Sequence, residues 1–442
     1  MRIFARDRRT EYLCDLCRAV SSTEDLIMFS SRLLTAILIP PLFLTACSSD
    51  QANPRGAISR DTLPNGTVLL RYGELPVGEV ALAEIDLRIG TVEGSDPNFI
   101  FGDVRGIEAG RDGTIYVLDY QASEVRAFDA EGRFLHKVAT RGEGPAEISE
   151  ANGMVLVGDS VLWIQDHGKW MMLGVTTAGE ELKRFPMPVL SYGYIWSGTV
   201  DNRGRVWKRQ IHSDEERPYQ PEEGLTESSF REYMVSFDPG ANVKDSIYLG
   251  ERSVRTRITR NNRGGHTYWG VPKDPSPITV VDPAGGLWRT NSSAYRVARL
   301  DERGDTVLVI ESNTPAPPVT ARDRSEYVEG FVERNPNQRR VAEELASLMP
   351  DSMPVISRLT VDDEGMLWIG RTGPADAQPQ FDIFDRDGEY HGTVELAFRP
   401  SSYAPIWVRQ NRIYAVVRDS LDVPFVVRSQ AILEDSDLST DN

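Results

Sequence analysis

The sequence predicts an all-β fold: a six-bladed β-propeller of four-stranded antiparallel blades, closed by an N-terminal strand and carrying a helical insertion between blades 4 and 5. Three observations predict it. A short phrase recurs along the chain, an acidic turn with a glycine followed by an apolar run with an aromatic in it: "GRDGTIYVLD" at 110–119, "DNRGRVWKR" at 201–209, "DPAGGLWRT" at 282–290 and "DDEGMLWIG" at 362–370. Each recurrence leads into alternating apolar and polar residues broken by a second turn. The last unit is one strand short, and a surplus strand precedes the first.

The repeat comes first because it sets the frame. Its aromatics are Tyr116, Trp163, Trp207, Trp288, Trp368 and Tyr414. Most lie about 45 residues apart and two gaps are about 80, the period of propellers and solenoids with two insertions. Runs such as "SEVRAFDAEGRFLHKV" and "FDIFDRDGEYHGTVEL" follow the anchors. Period-2 alternation around Asp/Gly turns marks hairpins, so each unit carries four strands, a to d. A single blade cannot bury its own faces, so the large aromatic of each b strand is expected between neighbouring blades, and the turn glycine is expected at positive φ. The sixth unit offers "APIWVRQ", "NRIYAVVRD" and "PFVVRSQ" only. The strand within 78–90, "GEVALAEIDLRIG", belongs to no unit and would close the ring.

The run "GRDGTIYVLDYQASEVRAFDAEGRFLHKVATRGEGP" at 110–145 resembles an NHL-type repeat, with its G-x-I-Y-V-x-D, R-x-F-D-x-x-G and R-G-x-G-P elements. From about 78 to 429 the chain resembles bacterial six-bladed β-propeller lipoproteins related to NHL-repeat proteins. Blades two and three depart from the pattern, with "TTAGEEL" in place of F-D-x-x-G. The resemblance implies a fold and leaves the activity open, because one scaffold carries many. Peptidyl-amidating lyases and gluconolactonase-like hydrolases share six-bladed scaffolds of this kind, and none of their site residues can be placed on this chain.

The N-terminal region reads as an export signal. From Met28 the chain gives one arginine, an apolar stretch from Leu33 to Leu44 broken by Pro40 and Pro41, then small residues. That is too short to span a membrane. Leu44-Thr45-Ala46-Cys47 resembles the bacterial lipobox, which makes Cys47 the expected lipidation site. Residues 1–46 are then a signal region, with 1–27 a mis-called start and 28–46 the lipoprotein signal peptide. Residues 47–77 are a tether and lead-in, flexible over 48–60, 78–429 the propeller, and 430–442 an acidic tail. The expected location is the bacterial cell envelope, lipid-anchored and facing the periplasm or the exterior. Cys14 and Cys17 form a C-x-x-C upstream of this start, with no second pair and no βαβ pattern around them.

A formal net charge of −17 argues against nucleic acid as a partner, since phosphates need a concentrated basic patch. In a four-stranded meander the a–b and c–d turns share one face, and both are short here. Every long insertion falls on the other face: 211–229 and 371–379 as b–c loops, 251–276 and 311–354 as d–a links. Function concentrates on loops held by rigid scaffolds, so recognition is expected there. "VRTRITRNNRGGHTYWG" (254–270) places Arg255, Arg257, Arg260 and Arg263 beside His266, Tyr268 and Trp269. Arg263, His266, Tyr268 and Trp269 are the candidate ligand-binding residues for an anionic or carbohydrate ligand. The plain alternative is a solvated loop whose arginines pair with nearby acids. Within 318–350, Thr320 and Asn335 suit N-caps, with Pro336 at a first helical position. Val328, Phe331, Val332, Val341, Leu345 and Leu348 recur at helical spacing, as a docking stripe. "TRGEGPAE" (140–147) reads as a turn motif, since no Gly-Lys-Ser/Thr follows its glycines.

Evidence for catalysis in the sequence is thin. His136, His167, His212, His266 and His391 show no ligand spacing, and no G-x-S-x-G is present. No cofactor and no metal site is expected. The reading is a monomeric binding module for an unknown protein or a small anionic or carbohydrate ligand. The alternative is a metal-assisted hydrolase or lyase with its site at the central channel mouth.

Overall fold

The six anchor aromatics organise the fold. Each lies on the second strand of a different sheet and is almost fully buried, and each belongs to a different apolar cluster between consecutive sheets. Tyr116 joins sheets 1 and 2, Trp163 sheets 2 and 3, and Trp207 sheets 3 and 4. Trp288 joins sheets 4 and 5, Trp368 sheets 5 and 6, and Tyr414 sheets 6 and 1. A sheet with two apolar faces must bury both, and an indole or phenol ring fills the space between two twisted sheets with few atoms left in water.

The structure is a computed structural model and describes residues 57–75, 80–187, 199–212, 222–238, 242–261, 264–374, 377–401, 404 and 406–430. Cys47, the signal region 1–46, Arg263 and the tail beyond residue 430 lie outside the described residues. All described residues belong to the compact unit Ala52–Asn442. Among them no helix is long and apolar enough to cross a membrane.

Among the described residues, six mainly antiparallel sheets follow one another. Their first strands are Val104–Ala109, Ala151–Val157, Thr199–Val200, Pro277–Val281, Ile356–Val361 and Trp407–Arg409. These six strands touch in cyclic order, and the last also touches the first. Sheet 6 supplies three strands of its own, and Ile85–Ile89 is its fourth, antiparallel to Pro424–Gln430. Arg428 seals that join on Asp86, at 3.1 Å. Of the stretch 78–90, only Ile85–Ile89 closes this sheet. Val80–Ala83 runs parallel to Tyr390–Leu396 as a fifth strand of sheet 5.

The phrase "DDEGMLWIG" is explained by its first aspartate. The Asp362 carboxylate accepts the backbone N–H groups of Glu364 (3.0 Å) and Met366 (2.8 Å), and its other oxygen accepts the Trp368 indole N–H at 2.9 Å. Gly365 closes the turn at φ 90°, which only glycine adopts without strain. Asp201 repeats this for Arg203, Arg205 and Trp207, with Gly204 at φ 72°. One side chain therefore ties the turn to the inter-sheet aromatic.

Three expectations need correction. The lead-in is structured from Ala57: Ala57–Thr62 and Val68–Tyr72 form a hairpin. Val68–Tyr72 lies parallel to Thr306–Ser312 of sheet 4, and the Tyr72 hydroxyl donates to the Gly388 carbonyl of sheet 5 at 2.6 Å. Leu69, Leu70 and Tyr72 bury their side chains, a gain a solvated tether would forgo. The described residues of the insertions around 211–229 and 251–276 are mostly strand. Gly224–Phe237 and Val243–Arg260 pair over their whole length as a ribbon extending sheet 3, and His266–Gly270 pairs back onto it. The alternation in "TESSFREY" and "ERSVRTRI" carries that pairing. Asn335 caps the end of a helix. Helix α1 (Ala321–Arg334) starts at Thr320, whose hydroxyl accepts the Asp323 N–H (3.2 Å) while Asp323 accepts the Thr320 N–H (2.8 Å). Asn335 then donates its backbone N–H to Phe331 and Val332, and its side-chain amide to Phe331. Helix α2 (Arg339–Ser347) begins after Gln338. An amide side chain can donate to the free carbonyls at a helix end, and Pro336 then follows that end instead of opening the next helix.

The two helices pack together over sheet 3. Phe331, Val341, Ala342 and Leu345 bury against Trp269 and Val271, joined by Val328, Val332 and Leu348. The helical stripe is docking core. The segment 140–147 turns on Gly144 and ends in Glu147–Ile148, a short strand parallel to Thr140 and Arg141.

Candidate functional site

A cavity of about 720 Å³ runs along the axis enclosed by the six first strands, and every sheet contributes to its wall. Sheets 4 and 5 line it deeply, through Ile278–Val281 and Ser357–Val361. Sheets 1 to 3 line it at and just before their a–b turns, through Arg111, residues 156–158, residues 199–202 and Gly204. The mouth therefore opens among the short a–b turns.

The charges on this wall are not equivalent. Asp201 binds Arg205 at 2.7 Å as well as the Trp207 indole. Asp362 holds its own turn and Trp368, and Asp363 accepts the Gln410 backbone N–H at 3.0 Å. Arg111 pairs with Asp159 at 3.2 Å. These groups are engaged in structure. Arg358 and Arg409 are different. Arg358, half-buried on Ile356–Val361, donates to the Ala404 carbonyl at 3.1 Å. Arg409 donates to the Val408 carbonyl at 2.9 Å. Neither forms an ion pair among the described residues. Desolvation pushes the Arg358 pKa down to about 10, and no carboxylate offsets it. An uncompensated guanidinium beside a cavity attracts an anion.

Glu108 lies on the first strand of sheet 1, and its residue is 2% exposed. Burial pushes its carboxyl up to about 7, against the opposing charge of Arg409. Its Oε1 has no hydrogen-bond partner among the described residues.

The residues expected from the sequence occupy another place. His266, Tyr268 and Trp269 lie on the outer strand of sheet 3. Successive strand residues point to opposite faces, so Tyr268 and Trp269 do not share one surface. Trp269 meets the Phe331 ring edge-on at 4.8 Å and donates its indole N–H to Thr259 at 2.9 Å. Tyr268 is exposed, opposite Ile258, and His266 stands opposite Arg260. Arg255 pairs with Asp274 at 3.0 Å, and Arg257 with Glu344 of α2 at 2.9 Å. Arg358, Arg409 and Glu108 escaped the sequence reading. The available signal was a charged residue within each of three otherwise apolar first strands, in "RGIEAG" (where Arg105 is a second charge), "VISRLTV" and "IWVRQ".

No family model matches the chain, and no curated protein matches it. Solved structures do. A protein described as exported from Bacteroides fragilis is 11% identical, covers 82% of this chain and 99% of its own, and has a TM-score of 0.46. A member of the DUF4221 family from Bacteroides vulgatus is 11% identical, with 78% and 95% covered and a TM-score of 0.45. A virginiamycin B lyase from Staphylococcus aureus is 11% identical, with 78% and 88% covered and a TM-score of 0.34. Likeness at this level says nothing about activity.

Proposed function

We propose that the chain is an exported six-bladed β-propeller, lipid-anchored at Cys47, that binds a small anionic ligand in its central channel. The six sheets are its blades, the α1–α2 pair is an insertion between blades 4 and 5, and the repeats are of NHL type. One observation carries the binding reading: Arg358 and Arg409 line the channel, and neither forms an ion pair among the described residues. The cyclic contact of the first strands supports the propeller, and the lipobox supports the anchor.

Calorimetric titration of the full chain in mild detergent with a series of short carboxylates tests the binding reading. Binding to wild type, with loss in Arg358→Ala, is the expected result. Equal binding by both proteins, or none by either, overturns it. Fractionation tests the anchor: Cys47→Ser should leave the membrane fraction or remain uncleaved, and wild-type behaviour would exclude it.

A second reading keeps recognition on the insertion side, through Arg263, His266, Tyr268 and Trp269. Exposed Tyr268 favours it. A partner lost on Tyr268→Ala while carboxylate binding persists would select that surface. The metal-assisted hydrolase or lyase reading needs His and carboxylates converging at the channel mouth. Among the described residues, no three His, Cys, Asp or Glu side chains gather as metal donors.

A further inference from the structure

The channel has a second end that the arginines do not explain. A side pocket of about 140 Å³ opens from its mouth, lined by Glu108, Arg111, Asp159, Asp363, Arg409 and Gln410 among others. Arg111, Asp363 and Arg409 also line the main cavity, so the two are continuous. Three carboxylates face this pocket. Asp159 and Asp363 are exposed at its rim, and each has a partner, Arg111 and the Gln410 N–H. Glu108 is buried, and its Oε1 has none among the described residues.

A buried carboxyl oxygen without a donor costs free energy unless something in the pocket supplies one. Arg409 lines the same pocket and its charge acts on Glu108, but its hydrogen bond goes to the Val408 carbonyl. The cavity is thus polarised. Arg358 lines only the main volume and Glu108 and Asp159 only the side pocket, with Arg409 and Asp363 shared between the two.

We propose that the channel ligand is a zwitterion, with its carboxylate on Arg358 and Arg409 and its protonated amine on Glu108 Oε1. This rests on the channel-binding reading above and names the ligand class for that site. A neutral hydroxyl could also donate to Glu108. An ammonium group makes the stronger, charge-assisted bond, and it matches a pocket in which carboxylates outnumber arginines. The distance between the two charges of the ligand becomes the specificity determinant, because both receptor ends are held on first strands of the sheets.

ω-Amino acids of increasing length serve as the ruler, each beside the plain carboxylate of the same length, titrated into the full chain in mild detergent. In wild type, one length should bind at least about tenfold tighter than its amine-free counterpart, the worth of one charge-assisted bond. Glu108→Gln should bring that amino acid down to the level of the carboxylate. Arg257→Ala, on the ribbon of sheet 3, should keep the advantage. Titration near neutral pH in buffers of different ionisation enthalpy gives an independent readout: an ammonium on Glu108 should release protons from wild type and none from Glu108→Gln. Carboxylates that bind with no advantage for any amino acid overturn the zwitterion and leave the anion site standing. An advantage that survives in Glu108→Gln overturns the role of Glu108. Absence of binding by every carboxylate and amino acid overturns both readings.

Discussion

Two pairs of arginines in this acidic chain invite comparison. Arg255 and Arg257 sit in the segment richest in cations and look, in the sequence, like a ligand site. Arg358 and Arg409 are single cations in apolar runs. The folded chain reverses their prospects. Each ribbon arginine has a carboxylate at hydrogen-bond distance, Asp274 or Glu344. Each channel arginine donates to a backbone carbonyl and has no ion pair among the described residues. Local density of positive charge therefore misleads. What matters is whether a charge is already compensated and whether empty space lies beside it.

Changes at Glu108 should sharpen this comparison most. Its carboxyl is raised from 4.5 to about 7 by burial. The protonated form is the one the fold accepts, so its stabilising contribution is complete below the unfolded value and is lost as pH rises through about 7. The shift corresponds to about 3 kcal/mol. Glu108→Gln should match wild type in denaturant unfolding at low pH and exceed it by up to that amount above neutrality. Equal pH profiles would mean that Glu108 is not desolvated in solution.

Ligand affinity comes next. Arg358→Ala should weaken carboxylate binding by about tenfold to a hundredfold, the range of a charged hydrogen bond. Arg255→Ala and Arg257→Ala should leave it unchanged. If the ribbon variants lose the ligand and the channel variant keeps it, the comparison is broken. Trp269→Ala should cost about 2 kcal/mol, since its half-buried ring supports Phe331, and should speed limited proteolysis within 321–347. No effect there would free Trp269 for recognition.

Stability of the arginine variants gives the smallest effects, with opposite signs. Arg358→Met should raise stability by about 1–2 kcal/mol by removing an uncompensated, partly desolvated charge, in the manner of a functional residue held at a stability cost. Arg257→Ala should lower it by about 1 kcal/mol or less, because its partner Glu344 keeps some solvent. Thermal unfolding of the two variants beside wild type reads both signs at once.

How much was legible in the sequence follows from the range of the interactions involved. The six aromatics, the Asp/Gly turns, the α1 cap at Thr320 and the apolar stripe of the helix pair are local patterns. A turn needs its glycine and a helix its first-turn acceptor wherever the element ends up. The missing strand of sheet 6 was also legible, as a count that did not close. Only the tertiary structure decided where the neighbouring N-terminal strands dock, because pairing to an edge depends on backbone groups that any sequence carries. It alone decided that the cation-rich ribbon is neutralised, since Asp274 and Glu344 are distant in sequence from their arginines or lie on another element. The channel was beyond sequence reasoning for the same reason. Pleat parity and ring closure turn Glu108, Arg358 and Arg409 inward together, and residues on three different sheets become neighbours only when the first strands meet in a circle.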